Sequence, residues 1–77
     1  MNKTRRNAIE TVKGKLSDLA EVINNLMDEE QEAFDNMPEG LQYSSRGEAM
    51  QEAIDALDSA VRCFEELDEY LEEAVNH

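Results

Sequence analysis

The stretch Tyr43-Ser44-Ser45-Arg46-Gly47 gathers, within a few residues, the groups that can hold an anion: an aromatic ring, two hydroxyls and a guanidinium. A helix starting there adds free backbone amides aimed at a phosphate or a carboxylate. Lys3, Arg5 and Arg6 form the other cationic cluster of the chain. A neighbouring copy could bring them to the same anion, so Tyr43, Ser44, Ser45, Arg46, Lys3, Arg5 and Arg6 are the candidate ligand-binding residues. The plainer reading of the same segment is a helix cap with a solvent-facing arginine.

Catalysis has little to work with. The one histidine is the terminal His77, and the one cysteine, Cys63, has no second histidine to activate it. Cys63 adjoins Phe64 in an apolar row, where a small packing residue is expected. A di-metal site in a helical bundle draws on repeated Glu-x-x-His pairs, and the sequence contains none. Calcium loops, phosphate-binding glycine loops and zinc spacings are equally absent from it. The expectation is a protein that is not an enzyme, takes no cofactor or metal, and works by binding.

Charge narrows the partners. The formal net charge is −12. Residues 1–15 hold five basic side chains against Glu10, whereas residues 16–77 hold two basic and eighteen acidic ones. Such a body repels nucleic acid and anionic lipid and attracts a basic protein surface. Asp28, Glu29, Glu32 and Asp35 with Glu52, Asp55 and Asp58 are spaced so that a rod carrying them could imitate phosphates to a basic groove; the plainer alternative is a solvated face. No apolar run is long enough to span a membrane or follows the basic start as a signal peptide does. A lone cysteine forms no internal disulfide, and a reducing, cytoplasmic setting is expected.

The elements that position these residues follow from periodicity. Ile9, Val12, Leu16, Leu19, Ile23 and Leu26 recur at alternating steps of three and four, with Met27 and Phe34 continuing on the adjacent row. Met50, Ile54, Leu57, Val61, Phe64, Leu67 (or Asp68 beside it) and Leu71 do the same after the only proline, Pro38. The pattern predicts one domain over residues 1–77: a helix over about 3–35, a turn over about 36–44 and a helix over about 45–75. Pro38 ends the first helix, and Pro-Glu-Gly supplies turn chemistry, with Gly40 free to adopt unusual angles. Ser45 with Glu48 three residues later reads as a capping box. Gly14 falls on the polar side of the first helix.

Matched lengths and a short connection predict an all-α fold, an antiparallel, coiled-coil-like two-helix hairpin. That pairing sets Lys3, Arg5 and Arg6 beside Glu65, Glu66, Glu69, Glu72 and Glu73, where they are expected to neutralise one another and set orientation. The apolar faces are wider than one partner helix covers. Ala49, Ala53, Ala56, Ala60 and Cys63 run beside the large residues of the second helix, and Ala20, Val22 and Met27 flank those of the first. The hairpin is therefore expected to self-associate into a four-helix or larger bundle.

The run FDNMPEGLQYSSRGEAM from Phe34 to Met50, following the start MNKTRRNAIE, resembles a recurrent group of short acidic helical proteins from bacteriophages and integrated elements of Gram-positive bacteria. The resemblance covers nearly the whole chain, its distinctive parts being the connection and the basic start. It implies a small accessory protein of a mobile element, of a kind that often inhibits host defence by binding, and it assigns no functional residues. Two modes are then open: sequestering a small anionic signalling nucleotide, or occupying a basic protein surface as a nucleic-acid mimic. The rival expectation is a passive coiled-coil adaptor with no ligand.

Overall fold

A computed structural model describes all of residues 1–77 as three helices, α1 (Lys3–Asp35), α2 (Glu39–Gln42) and α3 (Ser45–Val75). Local chemistry sets each boundary. Asn2 caps α1, its side-chain oxygen accepting a hydrogen bond from the Arg5 amide at 2.9 Å. Pro38, whose missing amide costs nothing just before a helix, stands at the start of α2. Ser44, not Ser45, caps α3, with its hydroxyl oxygen accepting from the Gly47 amide at 3.3 Å. The expected Ser45–Glu48 capping box does not form, because the cap lies one residue earlier and Gly47 occupies the position a box needs for Glu. Nor does Gly40 use its freedom: no glycine has a positive φ, and Gly40 lies within the single turn of α2.

The two long helices pack against each other as the expected antiparallel hairpin. At the open end the Met1 amino group donates to the His77 carbonyl at 3.0 Å. At the closed end the Gln42 side-chain amide donates to the carbonyls of Phe34 (3.1 Å) and Met37 (3.2 Å), tying α2 back to the end of α1. Gly47 is buried beneath α2, and a Cβ there would lie 2.1 Å from the Gln42 carbonyl oxygen. A side-chain-free residue is what lets the chain fold back so tightly.

The inner seam differs from the sequence expectation in α1. The more sheltered positions are Ile9, Lys13, Leu16, Ala20, Ile23, Met27, Glu30 and Phe34, still at steps of three and four but with Lys13, Ala20 and Met27 replacing the larger or more apolar neighbours one residue earlier. Val12, Leu19 and Leu26, expected in the seam, are exposed at 45%, 53% and 49%. In α3 the seam runs through Met50, Ile54, Leu57, Val61, Phe64 and Leu71, and Leu67 lies outside it. The reason is joint fit: large Phe64 and Leu16 share a groove with small Ala20, so the registers settle where bulk on one helix meets space on the other.

The open-end charges also differ from expectation. The inter-helix ion pairs are made by Lys13, with Glu72 and with Asp68 (4.0 Å), while Lys3, Arg5 and Arg6 form no ion pair. Lys13 reaches across because it sits in the seam itself, whereas the three earlier cations are exposed on the first turn.

A hairpin is one layer of structure, and stable domains stack at least two. The Cα radius of gyration is 17.4 Å, against about 11–12 Å for a compact chain of this length. The accessible surface is 5757 Å², roughly 1,000 Å² above that of a compact monomer of the same mass. Only Ile54 and Val61 count as buried hydrophobic residues, each 9% exposed, and no side chain is fully enclosed.

Candidate functional site

The seam divides the hairpin into two unlike faces. Positions one residue after the seam in each helix come together on one side, as a groove of about 420 Å³ lined by Leu16, Ser17, Ala20, Phe64, Glu65, Asp68 and Glu69 demonstrates. This side is acidic. Glu10, Glu21, Asp28 and Asp35 from α1 join Asp55, Asp58, Glu65, Glu69 and Glu72 from α3 at those positions. Arg62 is the one fixed cation among these positions, and Asp58 engages it at 2.9 Å. Lys13 reaches the same rim from the seam. Its hydrogen bond with Glu72 is the largest cause holding its pKa above the ordinary 10.5; partial desolvation opposes it, and the charges of Asp68, Glu72 and Glu10 add to it.

Positions one residue before the seam make the opposite face. There α1 presents Ala8, Val12, Leu19, Val22, Leu26 and Ala33, and α3 presents Ala49, Ala53, Ala56, Ala60, Cys63, Leu67 and Tyr70. Val22 is 54% exposed and Tyr70 69%. Both rows keep the alternating three-and-four spacing, so each long helix carries a second seam about 100° round from the first. Glu29 is the only acidic residue in these two rows, and Lys15 the basic one.

The candidate anion-binding residues are not brought together within one chain. Tyr43, Ser44, Ser45 and Arg46 lie at the closed end; Lys3, Arg5 and Arg6 lie at the open end of a molecule 58 Å long. Ser44 is occupied twice, accepting from Gly47 and donating to the Leu41 carbonyl. A second groove, about 410 Å³, borders Tyr43 and is lined by Phe34, Gln42, Glu48, Gln51 and Glu52. Two carboxylates and no cation there disfavour an anion. Of the acidic residues singled out in the sequence, Asp28, Asp35, Asp55 and Asp58 share the acidic face, whereas Glu29 falls among the apolar positions.

Sequence reasoning missed three residues that position these surfaces. Lys13 was hidden because Val12 beside it is the better hydrophobe, although Asp68 as a seam alternative in α3 was the complementary signal. Gln42 and Gly47 act through close backbone approach, which leaves no periodic trace. No group of three or more His, Cys, Asp or Glu side chains is placed to hold a metal ion, and no helix is long and apolar enough to cross a membrane. No protein-family model, curated protein or solved structure matches the chain.

Proposed function

We propose that this chain is a small acidic binding protein that works as a self-associated helical hairpin and holds its acidic face against a basic protein surface. The observation that carries the reading is the division of the rod: nine carboxylates with one paired arginine on one side, a nearly uncharged apolar face on the other. Aligned carboxylates at helical spacing offer a basic groove the charge pattern of a nucleic-acid backbone. The partly buried Leu16 and Phe64 on the groove floor add an apolar contact beneath the charged rim. The likeness to short acidic proteins of mobile elements supports an accessory role, inhibition of a host defence protein in the host cytoplasm by occupation rather than catalysis.

Sequestration of an anionic nucleotide has less behind it. Its cations are split between the two ends of the chain, and the groove beside Tyr43 is rimmed by Glu48 and Glu52. A passive adaptor requires only the seams and leaves the one-sided charge without a use.

The test is capture of host proteins on the immobilised chain at low and high salt, alongside a variant carrying Glu65→Lys and Glu69→Lys. The reading expects a basic protein that is retained at low salt, released at high salt, and lost to the charge-reversed variant. Retention indifferent to salt and to charge reversal would leave the adaptor reading standing instead.

A further inference from the structure

We infer that the apolar face is covered by a second copy of this chain in one specific arrangement, with α1 of each copy lying on α3 of the other and the two-fold axis running along the helices. The inference rests on the self-association in the reading above and adds to it the face, the pairing and the direction.

Size is the first argument. The accessible surface, 5757 Å², exceeds that of a compact monomer of this mass by roughly 1,000 Å². A standard interface removes about 800 Å² from each partner. One partner copy therefore accounts for the excess, and a small peptide would not.

Shape is the second argument, and it selects the direction. The exposed row of α1 is large, with Val12, Leu19, Val22 and Leu26; that of α3 is small over most of its length, with Ala53, Ala56 and Ala60. Lys13 stands level with Asp68 and Glu72. Counting in opposite directions along the two helices, Leu26 then stands level with the stretch around Ala56 and Val22 with that around Ala60 and Cys63. A two-fold axis along the rod carries Leu19, Val22 and Leu26 of one copy onto the small row of the other at the same height, with Val12 against Tyr70, so over most of the rod bulk meets space on both sides at once. An axis across the rod instead sets large on large and small on small, wedging the two hairpins apart along one edge.

Charge agrees. Lys15, the cation in the α1 row, forms no ion pair within its own chain. In the inferred pairing it comes level with Leu67 and Tyr70 of the other copy, flanked there by Glu66 and Glu73. The acidic faces of both copies turn outward, giving a rod that offers one binding surface on each side. Both closed ends gather at one end of the rod, so Lys3, Arg5 and Arg6 of one copy stay far from Tyr43, Ser44, Ser45 and Arg46 of the other. An anion pocket shared between chains is excluded by this arrangement.

The native cysteine supplies the test. In the inferred pairing Cys63 of one copy lies over α1 of the other, at a level bracketed by Leu19 and Val22, and far from the second Cys63. With the axis across the rod, the two Cys63 residues meet near the middle of paired α3 helices. Val22→Cys and Leu19→Cys are prepared separately, and each chain, with the unaltered one, is mildly oxidised after its mass has been measured by light scattering. The expected result is a mass of two chains, with V22C or L19C forming a disulfide-linked dimer at least an order of magnitude faster than the unaltered chain. An intrachain bond is recognised by its monomer position on a non-reducing gel, and helix axes side by side hold these positions too far apart for one. Rapid linkage of the unaltered chain through Cys63 would overturn the direction, and a dimeric mass with no linkage in either variant would overturn the face. A single-chain mass would overturn self-association itself, and the inference with it.

Discussion

Each long helix carries two seams of the same period, and the two have opposite fates. The inner one, through Ile23, Met27, Ile54 and Val61, is sheltered between α1 and α3 even though it includes Lys13 and Glu30. The outer one, with Val12, Leu19, Val22 and Leu26 on α1, is comparably apolar there and stays about half exposed. In α1 hydrophobicity by itself does not choose between them, since each stripe carries one lysine and one glutamate among its apolar residues. The comparison teaches that the intramolecular seam is selected by what the hairpin can close, through Gly47 and Gln42 at one end and Lys13 with Glu72 at the other. The outer stripe is left over for something else.

The strongest way to break the inner seam is at its closed end. Gly47→Ala places a methyl 2.1 Å from the Gln42 carbonyl oxygen, where backbone must move to admit it. Thermal melts are expected to show a loss of about 3 kcal/mol or more. Retained stability would mean that the fold-back is not held as described. Next in size is Ile54→Ala, which opens the sheltered seam and is expected to cost about 2–3 kcal/mol at every protein concentration. Leu26→Ala on the outer stripe sharpens the contrast, because its cost should vanish on dilution and grow as copies associate. Equal, concentration-independent losses from both would erase the distinction between the seams.

Smaller effects probe residues outside both stripes or polar within one. Gly14 is exposed and nothing lies within 4 Å of a Cβ added there. Gly14→Ala should therefore stabilise the chain by about 1 kcal/mol in a denaturant titration, through helix propensity alone. The last concerns Lys13, whose pKa is raised in the folded chain by its hydrogen bond with Glu72. A raised folded value means that its contribution is fully present below the unfolded pKa and fades as pH climbs through the folded one. Melts of the native chain should accordingly be flat with respect to this group at neutral pH and fall at strongly alkaline pH. Lys13→Met should not show that extra fall.

Much of the architecture was legible from spacing and punctuation. Pro38 marked the break, and the three-and-four pattern located both long helices and their antiparallel return. Seam choice in α1 was not legible, because two stripes displaced by one residue fit the same period and only packing against Phe64 and Leu71 distinguishes them. The cap at Ser44 was obscured by the neighbouring Ser45–Glu48 pattern. Neither Gly47 nor Gln42 could be assigned a role from sequence, since both act through backbone groups that meet only after the chain has turned. The acidic residues were obvious in number, but which nine of them line one side depended on knowing which stripe faces inward. The separation of Lys3, Arg5 and Arg6 from Tyr43, Ser44, Ser45 and Arg46 within one chain follows instead from the antiparallel return, which sends the two clusters to opposite ends.

The central claim is that the outer stripe is an interface. Sedimentation equilibrium on the native chain over a wide concentration range tests it with no substitution at all. A mass of two chains, persisting to low micromolar concentration and abolished by Leu19→Glu, is the result this account predicts. A stably folded species of one 8.8 kDa chain across the whole range would contradict it.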